Sequence, residues 1–137
     1  MPTPADYLAL AHAENDIVVL QRLAQCPYPF VWQALAANPH TPPVALHELS
    51  RARDSAWNDN RLLCLLAEHS GANLIVLRAV LGAVAAKLEE GERPYAAVLA
   101  LADRLELEAD EVRKLGNLRG ASARLRHLLS RRLSLRT

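Results

Sequence analysis

Three prolines within five residues, in "ANPHTPPVAL" (residues 37–46), constrain this chain more than any other stretch. Proline has no amide donor, clashes with the preceding helical turn and drives the residue before it out of the α region. The helix "VWQALAAN" therefore has to stop at Asn38, with Val31, Ala34, Leu35 and Asn38 on one face by i, i+3, i+4, i+7 spacing. Thr41 then offers a hydroxyl to the open amides of a new helix, and Pro42 suits the first helical position, where a missing N–H costs nothing. The segment "PPVALHELSRA" is the next helix. A stop followed at once by a start is the corner between two antiparallel helices.

Weaker corners flank this one. "LAHAENDIVVLQRL" turns at Glu14-Asn15 and restarts behind Asp16, and "LAEHSGANLIVLRAVL" breaks near Ser70-Gly71 and restarts behind Asn73. The apolar pairs after the corners recur as Leu20/Leu23, Leu46/Leu49 and Leu77/Val80, two nearly equal steps along the chain. The steps are 26 and then 31 residues, and self-similarity of this size is the mark of a helical solenoid, whose helix pairs bury their apolar faces only against their neighbours.

The middle unit, "LAQCPYPFVWQALAANPHTPPVALHEL", resembles the leucine-rich repeat variant, a HEAT-like bacterial helical repeat. The resemblance is carried by Leu23, Ala24, Pro27, Val31, Leu35, Ala36, Asn38, Pro39, Thr41, Pro42, Leu46 and Leu49, and in the following unit by Leu66, Ala67, Leu77 and Val80. It spans about residues 8 to 82. Trp32 stands where that pattern has arginine, and His69 where Asn38 stood. Some members carry an iron–sulfur cluster on N-terminal cysteines; residues 1–22 hold no cysteine, so no cofactor is expected. The resemblance implies an all-α fold, a short right-handed α-solenoid of antiparallel helix pairs. One domain would cover residues 1–137, with repeat units in 1–90 and a C-terminal helical cap with a basic tail in 91–137.

Composition agrees with helices: 51% of residues are hydrophobic, mostly Leu and Ala, and 4% are aromatic. The longest unbroken apolar run, 79–86, is far short of the roughly 20 residues a membrane span needs. The opening "MPTPADYLAL" lacks the basic and apolar regions of a signal peptide, and Cys26 and Cys64 lack ligand-like spacing. A cytoplasmic chain with reduced thiols is the expectation. The net charge of +1 hides an asymmetry: residues 1–112 hold eight Lys/Arg against fifteen Asp/Glu, whereas 113–137 hold eight Lys/Arg and no acid.

In the C-terminal third, an almost wholly apolar helix from about Leu74 to Glu90 ends at Gly91, and Pro94 opens another. "ALADRLELEADEVRKLG" has the small–turn–branched spacing of a helix-turn-helix at Ala102, Glu106 and Val112, which any tight helical hairpin shares. The final helix starts behind Ser122, with a stripe of Leu125, Leu128, Leu129 and Leu133. Arg132 falls near that stripe and has to extend its guanidinium away from it. The arginines of this tail, Arg119, Arg124, Arg126, Arg131 and Arg132, have two readings. They close the end of the solenoid against the acidic body, or they hold nucleic-acid phosphates.

Catalytic patterns are missing. There is no Gly-rich phosphate loop and no nucleophile elbow, and "HELSR" puts Arg51 where a zinc protease needs its second histidine. His12, His40, His47 and His69 are spread over different repeat positions, so no metal site is expected. Surface features remain. Tyr28, Phe30 and Trp32 put half of the aromatic residues within five positions, and Trp57 lies in the polar stretch "RDSAWNDN", expected as a loop. Phe30 and Trp32 flank the inward stripe on opposite sides, so packing against neighbouring helices is the first expectation for them; the alternative is a binding patch, because aromatic side chains dominate interface hot spots. The expected function is a non-enzymatic scaffold that binds a protein partner through the groove of the second helices and the Trp32/Trp57 region, with Phe30 and Tyr28 nearby. A nucleic-acid-binding module and self-association of basic tail with acidic body are the alternatives.

Overall fold

Short polar residues open the helices where the sequence places its corners in the computed structural model, which describes residues 3–136. Thr3 caps α1 (Pro4–Ala13) in a reciprocal capping box with Asp6, and the Asp16 carboxylate accepts the Val18 N–H at 2.9 Å to start α2 (Ile17–Leu23). Proline opens α3 (Pro29–Ala37) and α4 (Pro43–Leu49). Ser55 caps α5 (Ala56–Glu68), and Asn73 caps α6 (Leu74–Glu89). Then follow α7 (Tyr95–Ala102), α8 (Ala109–Arg113), a 3-10 turn (Lys114–Asn117) and α9 (Ala123–Ser134), the last capped by Ser122. Among the described residues all regular structure is helical.

Three local expectations change. Pro42, not Thr41, is the cap of α4, and the Thr41 hydroxyl turns back to donate to Leu35 O at 2.7 Å. A buried hydroxyl needs a partner, and the Leu35 carbonyl near the end of α3 supplies it. The α4 helix ends at Leu49 rather than running on to Ala52, because Ser50 donates its hydroxyl to His47 O. Trp57 lies in the first turn of α5, since Ser55 caps a helix that begins inside the "RDSAWNDN" stretch.

Contacts follow a simple order. The odd-numbered helices touch in succession, α1–α3, α3–α5, α5–α7 and α7–α9, while α2–α4 and α4–α6 do the same beside them. Each odd helix also contacts the even helix that follows it, as in α1–α2, α3–α4, α5–α6 and α7–α8. Between these sets lies one apolar core in which Leu20, Leu35, Leu46, Leu66, Leu77, Leu101 and Leu125 are fully buried. At roughly 2 kcal/mol for each such leucine, burial is the main favourable term.

Two glycines fix the connection into the tail. Gly91 adopts a left-handed backbone (φ 86°) just after α6, a conformation few other residues accept. At Gly120 a Cβ would lie 2.4 Å from Glu92 O, so only glycine lets the chain press against α6 and donate to Leu88 O at 2.7 Å. Tyr95 clamps the same place, its hydroxyl donating to Gly120 O and accepting from Ser122 N–H.

Candidate functional site

The corners carry a recurring device. Asn38, buried at the end of α3, donates both amide hydrogens back to the previous corner, to Ala11 O at 2.9 Å and Glu14 O at 2.8 Å, while its Oδ1 accepts the His40 N–H. One corner on, His69 bonds back to Asn38 O at 2.8 Å. Gly71 N–H donates to His69 Nδ1, which makes Nδ1 the acceptor and leaves Nε2 as the protonated donor to Asn38.

Arg104 repeats the act at the next corner. Its guanidinium donates to Ala67 O, His69 O and Ala72 O at 2.7 to 3.0 Å, and pairs with Glu106 at 2.8 Å. Arg136, after α9, reaches Ala102 O, Arg104 O and Leu107 O, each 35 positions beyond one of those three carbonyls. Reading the sequence missed both arginines as structural groups. The signal was present as a spacing: Asn38, His69, Arg104 and Arg136 follow one another at nearly even steps of 31, 35 and 32 positions.

Two adjoining cavities make a trough along α5 and α7. One, of about 630 Å³, is lined by Cys64, Ala67, Ala96, Leu99, Ala100 and Asp103 among others. The second, of about 280 Å³, shares Cys64, Glu68 and Ala96 with it and extends past Arg61 to Trp57, Arg93 and Tyr95. Small residues form its floor because α5 and α7 present Cys64, Ala67, Ala96 and Ala100 along their facing edges, and larger side chains there would fill the space. Trp57 stands at one end with 72% of its surface exposed. Asn60 lines the same end, and its buried Oδ1 has no donor among the described residues.

The cysteine in the trough is chemically quiet. Burial, and then hydrogen bonding to the Glu68 carboxylate 3.1 Å away, push the Cys64 thiol up to about 12, so it stays protonated at neutral pH. Desolvation also raises Cys26. Among the described residues no three His, Cys, Asp or Glu side chains gather to hold a metal ion. The buried Lys87 is held by Asp59 at 3.6 Å and Glu92 at 3.1 Å, and Asp59 also accepts the Asp54 N–H, an arrangement that ties the start of α5 to the end of α6.

The aromatic candidates separate. Trp32 is half-buried, its indole N–H donating to Cys26 O at 2.6 Å, and it braces the turn before α3. Tyr28 stacks on Phe30 with ring centroids 5.4 Å apart, and Tyr7 packs on Tyr28 at 6.2 Å, near the start of α1 and α3. Trp57 lines the α5–α7 trough with neither of them. The groove of the second helices is a smaller one of about 230 Å³ between α4 and α6, lined by Val44, His47 and Ile75 among others.

The tail arginines also divide. Arg132 pairs with Asp103 at 2.7 Å, and Arg126 leans on Gly116 O and Ala121 O. Arg136 is turned into the last corner. Arg119, Arg124 and Arg131 are exposed, and no carboxylate pairs with them among the described residues.

No family model, curated protein or solved structure matches the chain. No helix among the described residues is long and apolar enough to cross a membrane.

Proposed function

We propose that the chain is a non-enzymatic scaffold: a short right-handed α-solenoid, akin to the leucine-rich repeat variant, that docks a protein partner in the cytoplasm. The observation that carries this reading is the trough on α5 and α7, floored by alanines and closed at one end by an exposed tryptophan. A groove with a small-residue floor and an aromatic anchor suits a partner helix, which lays its apolar face into such a channel. The succession of odd-helix contacts and the corner bonds that run from Asn38 to Arg136 support the solenoid. The trough replaces the second-helix groove as the proposed docking surface, because Trp57 lies on it.

Placing a photo-crosslinking residue at Leu99 and another at Val44 tests this. Crosslinking in cells is expected to yield one discrete partner from position 99 and none from 44. With that partner purified, Ala100→Trp and Trp57→Ala should each weaken binding at least tenfold, while Arg124→Gln with Arg131→Gln should not. If the trough variants bind like the parent, the scaffold reading fails. Salt-dependent binding to nonspecific duplex that disappears in the Arg124/Arg131 variant would put a nucleic-acid module in its place.

A further inference from the structure

The trough is charged unevenly, and that asymmetry specifies its occupant. At the Trp57 end, Arg61 and Arg93 are both exposed and both line the cavity, and no carboxylate pairs with either among the described residues. At the far end the cations already have partners: Arg132 is neutralised by Asp103, and Arg104 by Glu106 and three carbonyls. Glu68, midway, accepts a hydrogen bond from the Cys64 thiol and keeps its negative charge, which one cation of the Trp57 end offsets, leaving the second in surplus. The net attraction offered to an incoming segment is therefore for negative charge, at one end only.

The dimensions set the length. The thirteen residues of α5 span roughly 20 Å at 1.5 Å per residue, so a parallel partner helix would be about 13 residues long. Ala96 and Ala100, one helical turn apart on α7, allow close approach, while Leu65 and Leu99 give an apolar wall. Guanidinium groups favour carboxylates, which they can grip in pairs, and an acidic first turn is also what a free helix prefers at its N-terminus.

Resting on the docking reading above, we infer that the occupant is an amphipathic helix of a partner protein whose first turn is acidic, its carboxylates on Arg61 and Arg93 and its apolar face between Trp57 and Leu99. The orientation follows: the helix N-terminus lies beside Trp57.

A displayed library of random peptides long enough to span α5 as a helix, selected on the intact protein and counter-selected on Ala100→Trp, tests partner class and site separately. Enriched peptides are expected to carry Asp or Glu in the first turn ahead of aliphatic residues at i, i+3, i+4 and i+7. Labelled copies should bind the double variant Arg61→Glu/Arg93→Glu at least tenfold more weakly, and copies with lysine in place of the acids should bind that variant better than the parent. Circular dichroism of each variant confirms that it is folded. Peptides that lose binding in Ala100→Trp but show no acidic bias would overturn the acidic class and leave the trough as a docking site. Peptides that bind Ala100→Trp as well as the parent, or no enrichment at all, would overturn both.

Discussion

Asn38 and His69 in the N-terminal half do with neutral groups what Arg104 and Arg136 do with guanidinium in the C-terminal half. Each bonds back to carbonyls of the preceding corner. The neutral residues reach one or two carbonyls apiece, whereas Arg104 reaches three and Arg136 repeats the same three one corner on. A planar fork of five donors serves several carbonyls at once, which an amide or imidazole cannot. The difference teaches that positive charge in this chain is partly internal wiring, so a count of tail arginines overstates the charge offered to a ligand.

The contrast can be broken most forcefully at Arg104. Arg104→Met leaves Ala67 O and Ala72 O without this donor and His69 O with the Ala72 N–H alone, and is expected to lower unfolding free energy by about 3 kcal/mol in urea titration. Arg104→Lys should recover only part of this, because an ammonium group cannot span three separated carbonyls. Asn38→Ala, which strands Ala11 O and Glu14 O, should cost about 2 kcal/mol. At the chain end the consequence is more local. Arg136→Met is expected to cost about 1 kcal/mol and to speed hydrogen exchange in α9 while leaving α3 and α5 protected. A full-sized global loss from Arg136→Met, or none from Arg104→Met, would erase the distinction.

The smallest effect is electrostatic. Hydrogen bonds from Arg104 hold the Glu106 carboxyl below its usual range. A carboxyl with a depressed folded value stabilises the fold at neutral pH, and that contribution is lost as pH falls through the folded value. Because Glu106 is about half exposed, solvent screening limits it to roughly 0.5 kcal/mol. Stability measured between pH 7 and pH 3 should therefore fall slightly less in Glu106→Gln than in the parent.

Much of the helix order was legible in the sequence because proline and short polar caps act within a few residues. Asp16, Asn73 and Ser122 each cap the helix expected of them, and Leu125, Leu129 and Leu133 face the core. Arg132 extends away from its stripe to Asp103, as its place on the wheel requires. What escaped depends on partners that apolar periodicity does not reveal. Trp57 reads as loop until Ser55 is recognised as a cap, and the sequence leaves Trp32 between packing and binding until its indole meets Cys26 O. The trough depends on alanines of two helices facing one another, a relation that neither helix shows alone. Arg104 and Arg136 sit in polar stretches where any arginine reads as solvated, and only their shared spacing sets them apart.

The most direct test of the corner wiring is the behaviour of the guanidinium protons in nitrogen-edited NMR at low temperature. Arg104 and Arg136 should give slowly exchanging, separately resolved Nη signals, because their donors are fixed on carbonyls, while Arg119, Arg124 and Arg131 should give rapidly exchanging, averaged ones. If Arg104 and Arg136 exchange and average like the other three, successive corners are not tied by these side chains and the wiring from Asn38 to Arg136 is contradicted.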